Sequence, residues 1–142
     1  MKLFVLVSTI IFITTFFYTN LYAEKDFFNE GKELFESDKY DEAKFKFEKD
    51  IVFNPKNEKS YLYLSKIFNE QKKKELEEKN LNAVILLNPK NEEATYNLAK
   101  LKLKESDFKG SKKLIEQLIS FCKNYCQKSE KLKIEIENSL KK

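Results

Sequence analysis

The chain has no histidine, no tryptophan and no arginine, so all 27 of its basic residues are lysine. Without His it lacks the usual general base near neutral pH and the commonest metal ligand. Without Arg it lacks the planar fork that grips phosphate or carboxylate with two parallel bonds. No G-x-S-x-G, phosphate loop or dinucleotide fingerprint is present, and no carboxylate pair stands isolated in an apolar stretch. These absences argue against an enzyme and give no reason to expect a cofactor or a metal. The net charge of +4 is mild, with 23 acidic residues interleaved among the lysines. A nucleic-acid binder segregates its charge and sets aromatics into one basic face, so no nucleic-acid partner is expected. What remains is a 142-residue chain, 42% hydrophobic and 35% charged, which suits one helical domain with a solvated exterior.

The first 23 residues read as an address. Lys2 supplies a positive start, an apolar run follows, and Ala23 precedes the abruptly charged Glu24-Lys25-Asp26. Residues 3–18 would span roughly 24 Å as a helix, short of a ~30 Å hydrocarbon core. A signal peptide cut after Ala23 is therefore the preferred reading. Leu21, bulky for its place before a cut, keeps an uncleaved anchor at residues 3–22 as the alternative. Either way residues 24–142 are expected to be exported, to the periplasm or outer surface of a bacterium.

Asn54-Pro55-Lys56-Asn57-Glu58 returns as Asn88-Pro89-Lys90-Asn91-Glu92, displaced by 34 residues. Self-identity at that period is the mark of a helical repeat. Units framed at 24–57, 58–91 and 92–125 align Gly31, Ser65 and Ala99 as small residues. Phe47, Leu81 and Ile115 align as large apolar ones. Each unit reads as two helices, roughly 25–37 and 41–53 in the first, with Asp38 or Asp41 available to cap the second. The residue before proline avoids helical geometry, so Asn-Pro ends each second helix. Asn57 and Asn91 then stand where the next helix needs a cap. Residues 127–142 hold one more helix, whose Leu132, Ile136 and Leu140 form an apolar stripe suited to covering the end of the stack. A partner-facing helix is the alternative.

These residues resemble the tetratricopeptide repeat (TPR) family. The first unit carries Phe27, Gly31, Leu34, Tyr40, Ala43, Phe47 and Pro55 of the family pattern. The second carries Tyr61, Leu64, Ser65, Phe68, Leu81, Val84 and Pro89. The third carries Leu98, Ala99, Phe108, Ser111, Ile115 and Leu118. Departures are Glu30, Asp50, Glu77, Lys102 and Lys123. The resemblance implies an all-α, right-handed α-solenoid of about three helix-turn-helix repeats plus a C-terminal capping helix. It also implies a concave groove lined by the first helices that holds a protein or peptide partner.

Along that groove one position of each first helix supplies Phe28, Leu62 and Tyr96, and the position four residues on supplies Lys32, Lys66 and Lys100. Together they predict an apolar strip bordered by ammonium groups, fit for a segment bearing acidic and large apolar side chains. Solvated lysines are also the ordinary outcome on any exposed helix. The family's grip on a chain-terminal carboxylate finds Lys32 and Asn97 here, but Phe28 stands where that mode has lysine and no arginine exists. Cys122 and Cys126, the only thiols, are either a disulfide or two buried reduced hydrophobes. A bridge between residues four apart requires the helix to break near Asn124. Glu75, Glu77 and Glu78, alternating with lysines, read as a solvated face. The expected role is a non-enzymatic adaptor or scaffold of the bacterial cell envelope. The alternatives are a periplasmic chaperone or assembly factor for secreted or outer-membrane proteins, and a membrane-tethered subunit of an envelope complex.

Overall fold

A computed structural model describes residues 26–141; the signal or anchor segment expected at residues 1–23 lies outside them. Among the described residues seven helices run in order: α1 (Phe27–Glu36), α2 (Tyr40–Phe53), α3 (Glu58–Glu70), α4 (Lys74–Leu87), α5 (Glu92–Lys104), α6 (Phe108–Phe121) and α7 (Cys126–Leu140). The first six form three helical hairpins that stack in one direction, and α7 covers the last. No described helix is long and apolar enough to cross a membrane.

The 34-residue period is written into the backbone. The second helices α2 and α4 stop at Phe53 and Leu87, directly before Asn-Pro, as the steric restriction on a residue before proline requires. The next helix starts at once. The Asn57 side chain accepts from the Lys59 N–H and the Asn91 side chain from the Ala94 N–H, filling orphan donors of the first turn. Inside each hairpin a second device repeats. Asp38, Lys72 and Ser106, 34 residues apart, all adopt the left-handed conformation. The N–H groups of Lys39, Lys73 and Asp107 reach back to the carbonyls of Leu34, Phe68 and Lys102, each at 2.9 Å. This is a Schellman ending, usually built with glycine at the left-handed position. Neither glycine of the chain is used for it. Asp38 and Asp41 do not cap α2: Lys39 is the N-cap and makes no side-chain bond, while Asp38 is occupied with the left-handed turn and the Tyr40 hydroxyl.

Packing follows the same translation. The core divides into three apolar clusters, and each joins the second helix of one hairpin to the helix that follows it. Ala43 and Phe47 meet Leu64, Ile67 and Phe68. Leu81 and Val84 meet Leu62, Ala94 and Leu98. Ile115 and Leu118 meet Ala99, Leu132 and Ile136. Gly31 is small because Phe47 leaves no room: a Cβ there would sit 2.8 Å from the phenyl edge, closer than van der Waals contact allows. Of the expected stripe on α7, Leu132 and Ile136 are buried and Leu140 is exposed. The buried stripe instead extends backwards to Ser129, because α7 covers only the third hairpin and its last turn overhangs.

Two polar constructions replace family residues. Asp50, buried where the second unit has Val84, accepts from the Ser60 hydroxyl and from the side-chain amides of Asn54 and Asn57. It thereby ties the end of α2 to the turn and to α3. In the third unit, where Lys123 replaces proline, Cys122 and Cys126 are joined in a disulfide with Cα atoms 5.3 Å apart. The helix breaks there, between Phe121 and Cys126, and both sulfurs come within reach. Glu92, in the first turn of α5, accepts the N–H groups of Lys123, Asn124 and Tyr125, each at 2.8 Å. Burial alone would push its carboxyl up; these three bonds outweigh it and hold the group below its ordinary value.

Candidate functional site

The inner face of the stack is formed by α1, α3 and α5. Its first predicted ladder is not an exposed strip. Leu62 is buried, 8% exposed, in the cluster with Leu81, Ala94 and Leu98. Phe28 is half-buried between Phe47 and Tyr63, with ring centroids 5.9 and 5.7 Å away. Tyr96 is half-buried against Tyr125 at 5.4 Å. The reason is the stacking geometry. Phe28 and Leu62 meet both the second helix of their own hairpin and the first helix of the next, so this position packs against neighbours instead of facing a guest. A helical wheel of one helix cannot show that, because the covering groups come from other helices.

The lysine ladder stays at the surface with three different surroundings. Lys32 pairs with Glu36 on its own helix at 3.6 Å. Lys66 reaches across to Glu93 of α5 at 2.8 Å and lies over the Tyr63 ring. Lys100 lies over its neighbour Tyr96, 5.8 Å from the ring centroid, and among the described residues has no acidic partner within 4 Å. The structure thus keeps Lys66 and Lys100 together and leaves Lys32, on α1, outside their group.

Lys66 and Lys100 line a recess of about 130 Å³ between α3 and α5. Its other walls are Ser65, Asn69 and Glu70 of α3, Glu77 of α4, and Asn97, Leu101 and Lys104 of α5. Ser65 and Leu101 are buried and form the floor. Asn69 and Asn97 present side-chain amides, and Lys104, like Lys100, has no ion-pair partner among the described residues. The smallness of Ser65, read from the sequence as a packing device, also opens the floor.

Glu77 was expected on a solvated face and is buried. It occupies the position that Ala43 and Ser111 hold in the other hairpins, against the neighbouring first helix. Asn69 donates to it at 2.9 Å. Burial pushes its carboxyl up; the Asn69 bond and the charge of Lys104 pull it partway back, and the net displacement is upward. The helix register survives this substitution, since Leu81 and Val84 remain fully buried. Outside the recess, Lys102 bridges Glu78 at 2.6 Å and Glu105 at 3.5 Å. The hydrogen bond that its ammonium donates to Glu78 holds that group above the ordinary value, so this lysine is committed to joining α4 and α5. Among the described residues no cluster of three or more metal-ligating side chains occurs.

The fold is repeated across solved structures. The first TPR of Spaghetti (RPAP3), bound to the HSP90 peptide SRMEEVD, matches with a TM-score of 0.74 at 20% identity, over 82% of this chain and 91% of that one. The chain has the tetratricopeptide repeat fold. The TPR2B domain of yeast Sti1, solved in complex with pHsp70, matches with a TM-score of 0.73 at 13% identity, over 80% of this chain and 95% of that one. The type III secretion translocator chaperone SycD of Yersinia enterocolitica also matches with 0.73, at 12% identity, over 83% of this chain and 94% of that one. Identities this low establish a common TPR architecture and nothing finer. No protein-family model and no curated protein matches the chain in sequence.

Sequence reasoning missed Asn69, Glu77 and Lys104 as parts of this site. Asn69 and Lys104 had a signal available. Asn69 lies three residues beyond Lys66, and Lys104 four beyond Lys100, so each shares a helix face with its ladder lysine. Glu77 had one too: it stands in register with Ala43 and Ser111, 34 residues to either side, although its exposure is decided by α3 and α5.

Proposed function

We propose that the chain is a non-enzymatic adaptor or scaffold that holds a segment of another polypeptide against the inner face of its first helices, with the recess between α3 and α5 as the anchoring point. The observation that carries this reading is the combination there of Lys100 and Lys104, which have no ion-pair partner among the described residues, with the amide of Asn97 over a floor of Ser65 and Leu101. Donors converging on a concave site select an acceptor-rich guest. A carboxylate side chain flanked by apolar residues fits best, since Lys66 and Lys100 of the recess lie over the half-buried rings of Tyr63 and Tyr96. That two of the TPR structures named above carry HSP90 or Hsp70 partners supports a peptide guest. A place in the bacterial cell envelope, reached through the signal or anchor segment at residues 1–23, completes the proposal. The likeness to SycD, described as a translocator chaperone, favours as second reading a chaperone for exported proteins.

Selection from a random displayed-peptide library tests the proposal. Binders are expected to be enriched in Asp or Glu next to large apolar residues. Lys100→Glu combined with Lys104→Glu is expected to weaken the selected peptides at least tenfold, about 1.4 kcal/mol. Unchanged affinity in a variant of normal helicity refutes this site.

A further inference from the structure

One edge of the solenoid has a character of its own. All the turns between hairpins lie on it, together with the start of α1: Phe27 there stacks on Phe53 at the end of α2, ring centroids 5.6 Å apart. At this edge Val52 and Phe53 are 76% and 68% exposed, and 34 residues on Leu86 and Leu87 are 82% and 37% exposed. Single exposed apolar residues are ordinary; a pair recurring at the same place in successive repeats is a patterned surface. The same turns carry Lys56 and Lys90, both exposed and again 34 apart. Three acids of the edge among the described residues are engaged within the fold. Asp26 caps α1, Glu58 accepts from the Asn88 amide at 2.7 Å, and Glu92 accepts the three N–H groups of the disulfide loop.

We infer that this edge rests on an anionic bilayer surface, with Val52, Phe53 and Leu86 in the interfacial layer and Lys56 and Lys90 at the headgroups. Apolar side chains alternating with lysines along one plane are the chemistry of interfacial attachment. A second copy fits less well, because a two-fold pairing of this edge sets Lys56 against Lys90, like charge against like. Chain continuity points the same way. The described fold begins at Asp26 on this edge, and only residues 19–25 separate it from the apolar run at 3–18. If that run is kept as an anchor, seven residues hold the edge within at most about 25 Å of the bilayer. The inner face with its recess stays free, so attachment and guest capture are separate properties.

The absence of tryptophan makes the test direct. In the full chain, Leu86→Trp is the sole tryptophan on this edge, and Lys74→Trp, at the first turn of α4, is the control on the opposite edge. With phosphatidylglycerol vesicles containing brominated lipid, the Leu86→Trp emission is expected to shift to shorter wavelength and be quenched, and that of Lys74→Trp to do neither. Adding Lys56→Gln and Lys90→Gln is expected to weaken the quenched state roughly 25-fold, taking each lysine near an anionic surface as about a fivefold factor. An unquenched Leu86→Trp on a chain that floats with the vesicles overturns the proposal. So does a blue shift that arises without lipid and grows with protein concentration, which assigns the edge to a second copy.

Discussion

Replacing Asp50 by alanine probes how the first two repeats are fastened. Its carboxylate accepts from Ser60, Asn57 and Asn54, and Ser60 is fully buried. In Asp50→Ala the Ser60 hydroxyl keeps its burial and loses its acceptor, a loss of about 1–3 kcal/mol. Asn57, half-buried, and Asn54, exposed, recover part of their bonding from water and add roughly 0.5–1 kcal/mol between them. The sum, about 2–4 kcal/mol, is a large share of the 5–15 kcal/mol typical of a domain. Urea unfolding followed by circular dichroism reads it directly: with a slope of about 1–3 kcal/mol per molar, the midpoint falls by roughly 1 M or more. Asp50→Val adds a control, because Val84 fills the equivalent place in the second repeat. Valine is expected not to restore stability, since the three donors remain unmet. A midpoint within about 0.3 M of the parent for Asp50→Ala, or full rescue by Asp50→Val, would show that the site works by filling space, and the argument from hydrogen bonding would fail.

Two further perturbations bear on other parts of the structure. Because burial raises the Glu77 carboxyl in the folded state, the folded chain holds that proton more tightly than the unfolded one. The associated stability is fully present below the unfolded carboxylate value near 4.3 and is lost as pH rises through the higher folded value. Glu77→Gln, which keeps an acceptor for Asn69, is therefore expected to melt near the parent temperature at pH 4 and above it at pH 7. An equal difference at both pH values contradicts the assignment. Reducing the Cys122–Cys126 bridge removes the closure of a loop of about five residues, worth about 2 kcal/mol in the chain-entropy account. Hydrogen exchange is expected to quicken first at the Lys123, Asn124 and Tyr125 amides that Glu92 accepts, and unaltered exchange there means that Glu92 alone holds the junction.

The repeat was legible because its boundaries depend on local chemistry. The Asn-Pro turns, the caps at Asn57 and Asn91 and the small residues at Gly31, Ser65 and Ala99 act through the chain's own covalent and steric preferences. The left-handed turns at Asp38, Lys72 and Ser106 repeat just as faithfully, yet three unlike residues occupy them. There the backbone is dictated by closing each hairpin, and the sequence carries no common mark. The site was less legible for a related reason. Leu62 and Glu77 were placed on the surface from the faces of their own helices, while their burial comes from α4, α5 and α3 packing over them. The pattern Lys66, Lys100 was visible. Its meaning rests on which lysines find partners: Glu36 lies one turn from Lys32 on the same helix, but Glu93 reaches Lys66 only in the stacked structure.

The central claim is that a guest segment seats between α3 and α5. The most direct measurement is a backbone amide NMR titration of the chain with a peptide selected for binding. The account predicts that shifts cluster at Asn69, Asn97, Lys100 and Lys104, with Asn82 on the outer face of α4 unmoved. Shifts centred on Asn82 and its outer neighbours, with the recess residues silent, would contradict it.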